Sequence, residues 1–216
     1  MKPRRKTGTQ KRSLVKRAGI LETAMKHFAE RGYDGARVED MALEMGISKG
    51  SIFQHFKTKP GLFLACYQKG IAAIPDYLDV PAEVKSKGFF EVLRFWLENA
   101  ETQHEENPIN NRVVLLGDFG VSMELRREIT RHNASHDPYA IREFVRWGIE
   151  RGDLRTDTDP EFLAWFLHWQ WESFLAALLV QGLDPGLFTG SNGRPIPVEE
   201  RIRQFVELLR AGVGRR

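Results

Sequence analysis

Residues 38–56, VEDMALEMGISKGSIFQHF, decide how this chain is read. Val38, Met41, Ala42 and Met45 fall at i, i+3, i+4 and i+7, which predicts a helix with one apolar face over two turns. Gly46 stands where a helix stops in a left-handed conformation, and Ser48 stands where the next one is N-capped. In the KGSIFQHF that follows, Ile52 and Phe56 are four apart and face inward. Lys49, Ser51, Gln54 and His55 are left outward. A helix presenting a lysine, small polar groups, an amide and an imidazole suits a DNA major groove. The stretch reads as a helix-turn-helix.

Charge around it points the same way. Residues 1–69 carry 15 Lys and Arg against 6 Asp and Glu, a net +9, whereas residues 70–216 carry 17 against 23, a net −6. A basic first third beside an acidic remainder implies an anionic polymer as partner for the first part alone. Residues 1–12 hold six basic residues and no acidic one, and read as a disordered arm. Its Arg4, Arg5 and Lys6 either solubilise the chain or reach phosphates and the adjacent minor groove.

Upstream, Leu14, Ala18, Leu21, Met25 and Phe28 step by four and three, predicting a helix from about Ser13 to Arg31 that Gly32 stops. Downstream, Thr58 caps a fourth helix with Pro60 in its first turn; Leu62, Phe63, Cys66 and Tyr67 form its buried stripe, and it ends before Pro75. Four helices in some seventy residues make a first domain, residues 13–70, with 71–216 as a second.

Arg31-Gly32-Tyr33, Val38-Glu39-Asp40-Met41-Ala42 and the run from Gly46 to Lys59 resemble the DNA-binding domain of TetR-family transcriptional regulators. The likeness covers roughly residues 12–70 without a gap. It implies a helix-turn-helix domain joined to a larger, divergent helical domain that dimerises and holds a small-molecule pocket. By resemblance, Gly50 lets the backbone approach the bases, Lys49 and Ser51 contact phosphates or base edges, and His55 and Lys59 hold phosphates. Gln54 is the candidate for base readout, because its amide matches adenine N6 and N7. Two positions depart from the family pattern. Arg37 replaces the usual Ser or Thr cap of the second helix, removing about 1 kcal/mol of capping and adding a charge within reach of a phosphate. Phe53 replaces a common tyrosine and loses a hydroxyl.

The second domain is predicted helical by pattern. Phe89 to about His104 has an apolar side formed by Phe89, Val92, Leu93, Trp96, Leu97 and Ala100. Val113 to Phe119 is a short apolar segment, and Ser122 caps a helix carrying Leu125 and Ile129. Asp137-Pro138 reads as a cap with proline at the first helical position, opening either a separate helix or the second half of a bent one, with Gly152 as the stop. Asp159-Pro160 repeats the signal ahead of an apolar helix to Val180. A Gly- and Pro-rich loop fills 182–197, and a last helix follows with Val198, Ile202, Phe205 and Leu209 in its stripe. No strand alternation stands out, so the fold class is all-α.

The helix from Pro160 is apolar nearly all round, which calls for burial on more than one side. Phe162, Phe166 and Trp169, with Phe205 and Leu209, are the candidate homodimer interface; the alternative is that they fill a large monomer core. An isologous dimer sets two recognition helices on a pseudo-palindromic DNA operator. Trp96, Phe119, Trp147 and Trp165 are candidates to line a pocket for an apolar or aromatic effector, and repression relieved by ligand is the common family logic. The apolar run from Phe162 contains His168, Gln170, Glu172 and Ser173, so protein and not lipid is expected to cover it. With one cysteine, Cys66, and no apolar segment behind the basic N-terminus, a cytoplasmic protein is expected. No HExxH, GxSxG, P-loop or dinucleotide fingerprint points to an enzyme, and no cofactor is expected. His132 and His136, four apart, are the one pair with metal-ligand spacing; two histidines alone are more often solvent-facing.

Overall fold

The computed structural model describes residues 8–73, 80–180 and 182–215, with side chains from Arg12 onward. Arg4, Arg5 and Lys6 of the expected arm lie outside the described residues. The described residues form α1 (Gly8–Gly35), α2 (Val38–Glu44), α3 (Lys49–Phe56), α4 (Lys59–Ile71), α5 (Ala82–Ser86), α6 (Phe89–Glu98), α7 (Ala100–Glu106), α8 (Pro108–Phe119), α9 (Met123–His136), α10 (Ile141–Arg151), α11 (Pro160–Leu179) and α12 (Val198–Val213). Among them there is no strand beyond the isolated bridges Leu154–Gly214 and Thr189–Pro195. The fold is all-α, with an N-terminal helix-turn-helix.

Two compact units are formed, and they do not follow a single cut near residue 70. The first holds α1 to α4 together with Pro108–His136, which is α8 and α9; the second holds α5 to α7 and α10 to α12. In the first unit Ile20, Leu21, Ala24, Met25 and Phe28 of α1 are buried with Phe63, Cys66 and Tyr67 of α4, Val113 of α8 and Ile129 of α9. The helix begins at Gly8, so Gly8–Arg12 open α1 instead of extending the arm, and a kink at Gly32 (φ 70°) comes where the stop was expected. Leu14 and Ala18, placed on the buried stripe by spacing, are exposed. Periodicity assigns residues to a face but does not say how far along the helix a neighbour reaches. What draws α8 into this unit is a close approach: a Cβ at Gly117 would sit 2.6 Å from Cε2 of Tyr67. Around that contact Tyr67 Oη donates to Asp118 Oδ1 (3.2 Å) and accepts from Asn133 Nδ2 (3.0 Å).

In the second unit Phe89, Phe144, Leu154, Leu163, Leu167, Phe174, Ile202 and Val206 form the core. The segment expected as one helix from Phe89 to His104 is broken at Asn99, whose amide Nδ2 donates to the Phe95 carbonyl at 2.7 Å. A short amide side chain that bonds its own backbone competes with the helical ladder. Asp137 caps α10 from further back than expected. Its two carboxylate oxygens accept from Ile141 N and Arg142 N, each at 3.0 Å, so Pro138 occupies a turn and two separate helices form. Asp159 caps α11 as read, accepting from Phe162 N at 2.8 Å.

Candidate nucleic-acid interface

The interface is built from the α2–α3 turn. Gly46 has φ 63°, a conformation that costs a residue with a Cβ about 1–2 kcal/mol. Its N–H donates to Leu43 O (3.1 Å) while Ile47 N–H reaches back to Ala42 O (3.0 Å), the paired bonds of a Schellman ending. Two residues later Ser48 Oγ accepts from Ser51 N at 3.2 Å and starts α3. Glycine, cap and spacing thus fix the angle at which α3 leaves. Ile52 and Phe56 anchor it in the core. At its far end a Cβ on Gly61 would lie 2.5 Å from Phe56 O, so α4 starts hard against the last turn of α3.

The outward row is as the spacing predicts at Lys49 and Gln54, and less open than predicted at Ser51 and His55. Lys49, Gly50 and Gln54 are exposed, and Ser51, Phe53 and His55 are half-buried. Gly50 has open space on its Cβ side, its nearest neighbour being Ser48 Oγ at 3.9 Å. Arg37 caps α2 in an extended conformation without a side-chain bond, while Glu39 and Asp40 occupy the first turn, where the helix dipole favours carboxylates. Lys59 Nζ donates to Asp34 O (3.3 Å) and lies 4.7 Å from the centre of the Tyr33 ring.

Three cross-helix contacts at this face escaped sequence reading. Lys49 Nζ donates to Glu39 Oε1 (2.5 Å) and sits 5.5 Å from the Phe53 ring centre. The Glu39 carboxyl is held below the usual carboxylate range, chiefly by that bond. Lys16 Nζ on α1 donates to Ser51 Oγ at 2.6 Å. Behind the face, buried His27 binds Glu44 through Nε2 (2.7 Å), which lowers the Glu44 carboxyl. These partners lie on different helices, so no short window of sequence contains both.

The family model described as bacterial regulatory proteins, tetR family, matches residues 20–66. Over 171 residues the chain is 31% identical to the HTH-type transcriptional repressor AcnR of Corynebacterium efficiens, covering 79% of this chain and 86% of that one. The chain belongs to the TetR family. The repressor DhaR of a Mycobacterium species is 24% identical over 182 residues, covering 76% of this chain and 83% of that one. Among solved structures, a TetR-family regulator from a Shewanella species (TM-score 0.64, 19% identity, covering 93% of this chain and 99% of that one) shares the fold. So does NalD of Pseudomonas aeruginosa (TM-score 0.59, 20% identity, covering 94% and 98%). This TetR-family chain is therefore a DNA-binding transcriptional regulator and not an enzyme.

The four aromatics suggested for the regulator's pocket do not form one group. Trp96 and Trp147 meet on Phe144, with ring centres 4.9 and 5.7 Å from it, and Trp96 also touches Trp171 at 5.8 Å. Trp165 is not among the aromatics packed on that core; its Nε1 donates to Glu161 (2.8 Å) with the Arg142 guanidinium 5.1 Å from its ring. Phe119 belongs to the first unit, half exposed beneath Arg126. The interface candidates divide as well. Phe162 and Trp169 are 63% and 64% exposed, with Phe166 stacked on Phe162 at 6.2 Å. Phe205 instead stacks on Phe174 at 4.1 Å and Leu209 is buried, because their stripe is the one α12 turns toward the core; Leu208, 74% exposed, is the outward apolar residue.

His132 and His136 stack at 4.1 Å, and His132 contacts the Gln68 amide at 3.1 Å. Among the described residues no group of three or more His, Cys, Asp and Glu is placed to hold a metal ion. No helix of the described residues is long and apolar enough to cross a membrane.

Proposed function

We propose that the protein is a ligand-responsive repressor of the cytoplasm that binds a pseudo-palindromic operator as a homodimer through α3. The observation that carries this reading is the exposed row Lys49, Gly50 and Gln54 on a short helix whose exit angle is set by Gly46 and Ser48. Gln54 makes no side-chain hydrogen bond among the described residues, which leaves its amide for an adenine edge. Arg37, Lys49, Ser51, His55 and Lys59 surround it with donors for phosphates or bases, and phosphate contacts set register and salt dependence.

The dimer is supported by Phe162 and Trp169, both exposed at i and i+7 on α11, with Phe166 between them half-buried against the protomer's own core. A repressor role is suggested by AcnR and DhaR, each named as a repressor. For the effector, the aromatic group Trp96, Phe144, Trp147 and Trp171 favours an apolar or aromatic molecule; it acts only by preferring one arrangement of the dimer over another. Selection of bound sequences from random duplex tests the reading: an inverted repeat should be enriched, and enrichment of none would remove it.

A further inference from the structure

Lys49 stands at the first position of α3, where an unrestrained lysine is drawn to the nearest phosphate. In this chain it is not unrestrained. Glu39 of α2 holds its ammonium at 2.5 Å, and the Phe53 ring lies on another side at 5.5 Å. The distance between the helices carrying the two residues is set by the Gly46 turn, so the pair is a product of the helix-turn-helix itself. Both side chains remain open to solvent, 48% and 60% exposed, and lie beside the exposed row of α3. Lys59 differs: its restraints are a carbonyl and a ring, neither of which competes as an anion with a phosphate.

We propose that Glu39 is a specificity-determining residue, keeping Lys49 on the groove side of α3 so that the pair reads one guanine–cytosine base pair. This rests on DNA reading by α3 as proposed above. In the major groove guanine offers N7 and O6 as neighbouring acceptors, and cytosine offers its N4 amine as a donor beside them. An ammonium and a carboxylate held side by side match that edge, the lysine donating to guanine and the glutamate accepting from cytosine. The carboxylate also acts by exclusion. Near a phosphate it adds like-charge repulsion, so the pair disfavours the backbone contact that a lone lysine makes on any sequence.

The test is binding of wild type, Glu39→Gln and Lys49→Ala to the site selected by wild type and to copies with each base pair replaced in turn, at several salt concentrations. Wild type should lose roughly five- to a hundredfold when one particular G·C pair per half-site is replaced. Glu39→Gln should lose most of that preference, bind random duplex more tightly, and show a salt slope steeper by about one per protomer as Lys49 turns to phosphate. Lys49→Ala should lose the same preference without the gain on random duplex. An unchanged G·C preference in Glu39→Gln, or an equal change on every duplex with the slope unaltered, overturns the inference and leaves DNA reading by α3 intact. If wild type selects no sequence at all, DNA reading by α3 falls and the inference falls with it.

Discussion

Gly50 separates folding from function more cleanly than any other residue of the recognition helix. Its Cβ position faces open space in the free protein, the nearest atom being 3.9 Å away. Alanine there should leave the fold intact and raise stability by roughly 0.5–1 kcal/mol, the usual gain for glycine replaced inside a helix. If the backbone must approach the bases closely at this point, the same methyl group should cost tenfold or more in operator affinity. Thermal melts and fluorescence anisotropy on one Gly50→Ala sample check both halves; a variant that binds as well as wild type would remove the close-approach role. The outward row was legible because helical spacing alone sorts Ile52 and Phe56 from Lys49 and Gln54. The bonds of Lys49 to Glu39 and of Lys16 to Ser51 were not, since they join residues on different helices.

Helix starts were legible where cap and capped N–H lie three residues apart, as at Ser48, Thr58 and Asp159. They were less so where the cap reaches further, as at Asp137, or where a side chain breaks a ladder, as at Asn99. The placement of α8 with α4 was invisible, because it depends on Gly117 meeting Tyr67 fifty residues away in sequence. Gly117→Ala forces a methyl group into that ring and should cost about 1–3 kcal/mol in denaturant unfolding. On α11, Arg142 and then the Trp165 indole hold the Glu161 carboxyl down to about 2, against 4.5 ordinarily. A carboxyl lowered on folding adds stability above its unfolded value and loses it as pH falls through the folded one. Wild type should therefore melt above Glu161→Gln at pH 7, with the difference shrinking between about pH 4.5 and 2. Because the pair is exposed, the gap should be small and should narrow with added salt.

At the scale of the whole molecule, a basic stretch containing the helix-turn-helix and an acidic remainder were apparent from charge alone, and the all-α class from helical spacing without strand alternation. Which apolar residues of α11 and α12 the protomer leaves uncovered was not. The 4-3-4 stripe of α12 is the inward one, and Leu208 beside it is the large apolar residue left exposed on that helix. Trp169, 64% exposed on α11 with Phe162, is the position at which to test assembly. Trp169→Glu should sediment as a monomer at concentrations where wild type is a dimer, keep its helical circular dichroism, and bind operator far more weakly. A wild type already monomeric would refute the dimer. In the proposed function α3 reads sequence as one of a symmetric pair. Parallel selection from random duplex with wild type and Gln54→Ala tests it most directly. An inverted repeat is expected for both, with one or two positions per half-site degenerate in Gln54→Ala, mirrored about the dyad. Identical sequence preferences for the two proteins, or no repeat for wild type, would contradict it.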